Sequence, residues 1–290
     1  MAIAEKGYTH WDGEFIERKF PWWPISRWQI KLAFKRKYFK FVFFTSLLPA
    51  LFYLAGIYIS ERLDDFEFMI QRGSMQFLQI DPKYFKNYFT SDFLLFMMVI
   101  ILVLSAAGLI ADDLKYNSLQ LYFARPLRKK DYFLGKAFTI FFFLFFLTLV
   151  PGLLFIIMKI IFSGSLKFLA SYPWIPFSVI VFSFLVTAFF SFYALLISSL
   201  SRNRRYVSVL LFTVYIFSDI FFGIFYGIFR DPHFALLSIK ANLQQLGAFL
   251  FRTQALYEVS WVYSFLILAG ICLLAAVVLK RKIQGVEVIK

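Results

Sequence analysis

The sequence has one cysteine and two histidines in 290 residues, too few for chemistry that needs a cluster of either. Cys272 lies inside an apolar run, so no intramolecular disulfide or thiolate cluster can form. His10 and His233 fall on opposite faces of the topology derived below, which excludes a histidine-based metal centre. No G-x-x-x-x-G-K-[ST] loop is present to cradle nucleotide phosphates, and no G-x-S-x-G elbow presents a serine nucleophile. Charged residues make up only 17%, and the apolar runs do not alternate in the manner of lipid-facing barrel strands.

What is abundant is apolar and aromatic. Hydrophobic residues make up 61% and aromatics 22%, with 42 Phe, and the mean hydropathy is +0.72. In hydrocarbon every backbone N–H and C=O must be satisfied within the protein, so continuous apolar runs of about 20 residues fold as spanning helices. Six such runs occur, at 41–60, 93–111, 137–158, 174–200, 206–229 and 259–279. They predict an all-α integral membrane protein with one six-span domain over 41–279, preceded by a segment 1–40 and followed by a tail 280–290. Residues 1–40 mix aromatic and charged side chains where a cleavable signal would carry its apolar core, so this segment is expected to remain on the protein.

Charge sets the expected orientation. With six spans both termini share a face, and that face carries 22 of the 31 Lys and Arg while the other carries 9. By the positive-inside tendency the basic face, with both termini, is cytoplasmic, in a plasma or bacterial inner membrane. The net charge of +14 is thereby explained by topology and anionic headgroups. No aromatic-interleaved basic module accompanies it, so nucleic acid is not an expected partner.

The stretch Pro21 to Pro24 interrupts helical structure, and Ser26 then reads as the cap of a helix running to about Lys40. Ile25, Trp28, Leu32 and Phe39 share one side of it among lysines, the pattern of an amphipathic elbow lying in the bilayer interface. On the outer side, Asp81-Pro82 reads as a cap and first position of a short helix resting on the leaflet. Leu236, Ile239, Leu243, Leu246 and Leu250 form a stripe suited to a partner helix or the interface. Pro49 and Pro151 fall within spans one and three, where neighbours must satisfy the carbonyls they free.

The loop between spans two and three carries the most specific pattern. Asn117 or Ser118 can start a short helix, Pro126 ends it at Arg125, and Asp131 reads as the cap of the next helix. Leu119, Tyr122 and Phe123 give the short helix an apolar face in search of either another subunit or the protein's own helices. Asp112, Asp113, Ser118, Leu119, Arg125, Pro126, Arg128, Asp131 and Lys136 stand where permeases of the ABC-2 export type carry an acidic pair, a leucine-bearing helix, Arg-Pro and a basic run. The chain resembles that family, and the resemblance extends loosely over its whole length.

The resemblance implies a permease subunit with a cytoplasmic coupling helix, Ser118, Leu119, Tyr122, Phe123, Arg125 and Arg128 docking on a separate ABC ATPase subunit. It implies a second permease copy, identical or related, and places ATP and Mg on the ATPase, with no cofactor in this chain. Asp219, alone among carboxylates inside a span, is read as a polar site on the pathway or between helices. Gly223 and Gly227, one turn past it, would allow close helix approach. The competing readings are an ion-coupled carrier or channel, a membrane enzyme acting on lipid, and a non-transporting assembly protein.

Overall fold

The structure is a computed structural model that describes residues 19–62, 80–123 and 127–282. These residues fold as helices and connecting turns, with no strand among them. Six helices are long and apolar enough to cross a membrane: Lys37–Glu61, Pro82–Lys115, Lys129–Ser163, Ile175–Leu200, Arg204–Phe229 and Trp261–Lys282. Four of them contain a run read from the sequence entire, and the helices of spans four and six begin one and two residues inside theirs.

Three of the six are broken. Span one divides into α2 (Lys37–Thr45) and α3 (Leu48–Glu61), following the lead helix α1 (Trp23–Lys35). Span two consists of α4 (Pro82–Phe89), α5 (Asp92–Ser105) and α6 (Gly108–Lys115). After the short α7 (Ser118–Phe123), span three divides into α8 (Lys129–Leu147) and α9 (Leu149–Ser163). The remainder is α10 (Lys167–Ser171), α11 (Ile175–Leu200), α12 (Arg204–Phe229), a 3-10 turn at Pro232–Leu237, α13 (Ile239–Leu250) and α14 (Trp261–Lys282).

The breaks have identifiable causes. Pro151 has no N–H for the Leu147 carbonyl four residues back, and the Tyr88 hydroxyl donates to that carbonyl at 2.7 Å. Span four, α11, is the centre of the bundle and packs against spans two, three, five and six. It supplies Phe182, Phe189 and Phe190 to the core, with Ser183, Thr187 and Ser191 buried on the same helix.

At the ends of the bundle one expectation changes and another takes its partner-helix alternative. Asp81 does cap α4, its carboxylate accepting from Tyr84 N at 2.9 Å, but α4 does not rest on a leaflet. Phe85, Tyr88 and Phe89 are fully buried, wedged against Phe155, Phe168, Phe182 and Phe251, while Lys83 and Asn87 on the other side stay exposed, so the apolar face of the helix enters the core. The leucine stripe faces inward as well, with Ile239, Leu243 and Leu246 buried and α13 packed on span six. Gly247 lets α13 also approach spans two and four, since a side chain there would collide with Thr90 and crowd Phe182.

The lead helix starts at Trp23 with Pro24 in its first turn, so Ser26 is not its cap. Ser26 is buried one turn in and donates to Gly135 O of α8 at 2.8 Å. A side chain at Gly135 would stand 3.0 Å from the Trp22 carbonyl, and this closeness seats α1 on span three. The helix also stops earlier than expected, at Arg36, whose extended backbone turns the chain into α2.

Candidate functional site

At the end of the bundle where the basic residues collect, three elements meet around one ion pair. Asp113 lies in the last turn of α6, and its Oδ2 accepts from the Tyr132 hydroxyl at 2.6 Å and pairs with Lys136 Nζ at 2.6 Å. Lys136 is only 2% exposed, and its ammonium also lies 5.2 Å from the Tyr132 ring and 5.6 Å from the Tyr122 ring. Tyr122 belongs to α7 and stands edge-on to Tyr132. Burial, reinforced by the charge of Asp113, raises the Tyr122 pKa, so the phenol is neutral beside the ion pair. The clamp therefore ties the short loop helix to the ends of spans two and three.

The chain reaches this clamp through a tight turn. Tyr116 ends α6, and Asn117 adopts φ +53°, a left-handed conformation that asparagine tolerates better than most residues. Helix α8 then begins at Lys129 after Arg128, so Asp131 is a first-turn residue and not the cap. Its negative charge still favours the helix N-terminus.

The expected apolar face of α7 is turned inward. Leu119 is 9% exposed and joins the core, and Tyr122 packs in the clamp, because both find apolar and cationic surface on the protein's own helices. The outward side chains are Leu121, 74% exposed, and Tyr116 on the preceding turn. Ser118 is partly exposed and Arg128 exposed. The side chain of Phe123 and all of Arg125 lie outside the described residues.

One turn deeper, span two is interrupted between α5 and α6. Ala107 N turns back to Leu102 O at 3.2 Å, five residues away, and the Leu104 carbonyl is taken by two guanidinium groups instead of the helix. Arg204 Nη2 donates to it at 2.9 Å and Arg36 Nη1 at 3.3 Å. The restarted helix has orphan N–H groups, and Ser198 of span four accepts from Ile110 N at 3.0 Å and Ala111 N at 3.2 Å while donating to Ala107 O at 3.0 Å. A serine on another helix thus caps α6, in the role usually filled by a local residue. A side chain at Gly108 would displace the Asp112 carboxylate and crowd Arg204.

Asp219 lies toward the opposite end. Its Oδ1 accepts from the Ser238 hydroxyl at 2.9 Å, and its Oδ2 pairs with Lys240 Nζ at 2.8 Å. Asp92, the first residue of α5, stands 3.6 Å from the same ammonium and accepts from Gln244 Nε2 at 2.9 Å. Burial opposes the charge on Lys240, but the hydrogen bond and charge of Asp219, with Asp92 farther off, outweigh it and raise the pKa. Asp219 is thus an interhelix fastening between span five and α13.

Ser198, Arg36, Arg204 and Lys240 carry these arrangements without having been singled out in the sequence. Each acts on a group about 20 to 100 residues away in the chain, and no local pattern marks such a partner. The comparison with curated proteins finds no match. The family model described as ABC-2 family transporter protein matches residues 32–219, about two thirds of the chain and the region holding the clamp, the interrupted span two and Arg204. The chain belongs to the ABC-2 transporter family, as a multi-pass membrane permease.

Proposed function

We propose that this permease is the membrane-spanning subunit of an ATP-driven exporter in a cell membrane, with both termini cytoplasmic and its ATPase, carrying ATP and Mg, on a separate chain. The observation that carries the reading is the clamp of Asp113, Lys136, Tyr132 and Tyr122. It makes α7 a rigid handle on spans two and three. A force on α7 from a closing ATPase pair passes through a buried ion pair into both spans, and the interruption in span two supplies the hinge. Docking falls to the outward surface of α7 and its flanks, with Leu121 and Tyr116 as apolar contacts and Ser118 and Arg128 as polar ones, while Leu119 and Tyr122 hold the helix in place.

A second permease copy completes the pathway. Gly223 and Gly227 of span five have open space where a side chain would stand, on a face that also exposes Ile220, Ile224 and Ile228. That face has no partner within the described residues and suits close approach of a second helix.

The docking test compares the two sides of α7 on one preparation. Leu121→Ser with Tyr116→Ser should weaken ATPase binding about 10- to 100-fold and leave thermal stability in detergent unchanged. Leu119→Ser should lower thermal stability, by about 2 kcal/mol of lost burial. Undiminished ATPase binding by the outward double variant would remove the docking surface.

A further inference from the structure

The outward face of the lead helix and the start of span one enclose a groove of about 570 Å³ at the basic end of the bundle. Trp28, Lys31, Leu32 and Lys35 of α1 recur at intervals of three and four, so they stand on one side of it. Lys40 of α2 forms the other wall, because the chain turns at Arg36, and Phe34 contributes to the floor. Phe34 is itself fixed by edge-on contacts with Phe39, Phe43 and Phe143, so the floor is part of the core.

The opposite face of α1 is already occupied. Ser26 bonds to Gly135 O and Gln29 Oε1 accepts from the Thr139 hydroxyl, both on α8. The groove side is therefore not available to the protein's own core. Trp28 is 63% exposed there, and Leu32 is also exposed, beside three ammonium groups. No carboxylate of the described residues pairs with Lys31, Lys35 or Lys40. Lys35 Nζ lies 5.8 Å from the Trp28 ring, a contact that leaves its donors open.

From this we infer that the groove holds one anionic phospholipid, its phosphate met by Lys31, Lys35 and Lys40 and the start of an acyl chain laid along Leu32 and Phe34. An aqueous anion would use the lysines but not the exposed tryptophan and leucine. A neutral hydrocarbon chain would use neither the lysines nor their arrangement on both walls. Only a molecule with a negative head and an apolar body satisfies both, and a helix seated on a spanning segment by its other face lies at the depth where such a molecule is found. The site braces the bend whose Arg36 reaches the Leu104 carbonyl, and it is independent of transport direction and of the ATPase.

The test uses the full chain in detergent with native mass spectrometry, offering phosphatidylglycerol and phosphatidylcholine in equal amounts. The wild-type protein should retain one phosphatidylglycerol in preference. Lys31→Gln with Lys35→Gln and Lys40→Gln should lower that preference about 100-fold, since each lysine near an anionic phosphate contributes about fivefold. Lys40→Gln alone, remote from the seat of α1, should lower it about fivefold and serves if the triple variant does not fold. Phosphatidylglycerol brominated near the top of its chains should quench tryptophan fluorescence in the wild type and much less in Trp28→Phe. An unchanged preference in the lysine variants would overturn the proposal. So would displacement of the lipid by inorganic phosphate, which would make the groove a soluble-anion site.

Discussion

Lys136 shows how much a single residue can carry in this protein. A lysine 2% exposed is tolerable only because Asp113 and the rings of Tyr122 and Tyr132 surround its ammonium. Lys136→Met should strand the Asp113 carboxylate and destabilise the protein by about 3–5 kcal/mol. Asp113→Asn combined with Lys136→Met should recover most of that, because the pair is then removed together. Thermal unfolding of the three variants in one detergent checks this. A double variant as unstable as the sum of the singles would show that the two residues do not act as a pair. The sequence displayed both residues as polar positions flanking apolar runs, but not that they meet, since 23 residues and a reversing loop separate them.

At the scale of elements, the interruption of span two is held by groups from three other segments, and the sequence offers Gly108 as its one local signal. Ser198→Ala removes three hydrogen bonds from the restart of α6 at a cost of about 1–3 kcal/mol. Amide exchange at Ile110 and Ala111 should then accelerate more than at any site in α8, and unchanged exchange would show that α6 caps itself. The short helices α7 and α13 share a pH signature. Tyr122 and Lys240 both have raised pKa values and bind their protons more tightly in the folded protein. The stability they confer is complete below pH 10 and is lost as pH rises through the raised values. Thermal stability should be flat on this account from pH 6 to about 9 and fall above about 10, with Tyr122→Phe and Lys240→Met reducing the alkaline fall. An equal alkaline fall in both variants would assign it to other groups.

For the whole molecule the decisive quantity is orientation. Arg128 and His233 are both exposed and stand at opposite ends of the bundle, one beside the clamp and the other on the turn after span five. In a Cys272→Ser background, His233→Cys should react with an impermeant thiol reagent in intact cells, and Arg128→Cys should react only after permeabilisation. The reverse pattern would place α7 outside and overturn the proposed docking on a cytoplasmic ATPase.

The class and the six spans were determined by the sequence alone. Each follows from composition and run length, which are local quantities set by the exclusion of water from the bilayer. The loop pattern at Asp112–Lys136 covers the stretch in which the clamp forms. What the tertiary structure decided was direction: Leu119 and Tyr122 inward and Leu121 outward, α4 in the core, Ser26 as a seat and not a cap, Asp219 fastened to Lys240. In a chain that is apolar on most sides, periodicity does not distinguish a face that meets lipid from one that meets protein, since hydrocarbon and side chain solvate it alike. That distinction rests on the polar groups that must find partners, and their partners are far away in sequence.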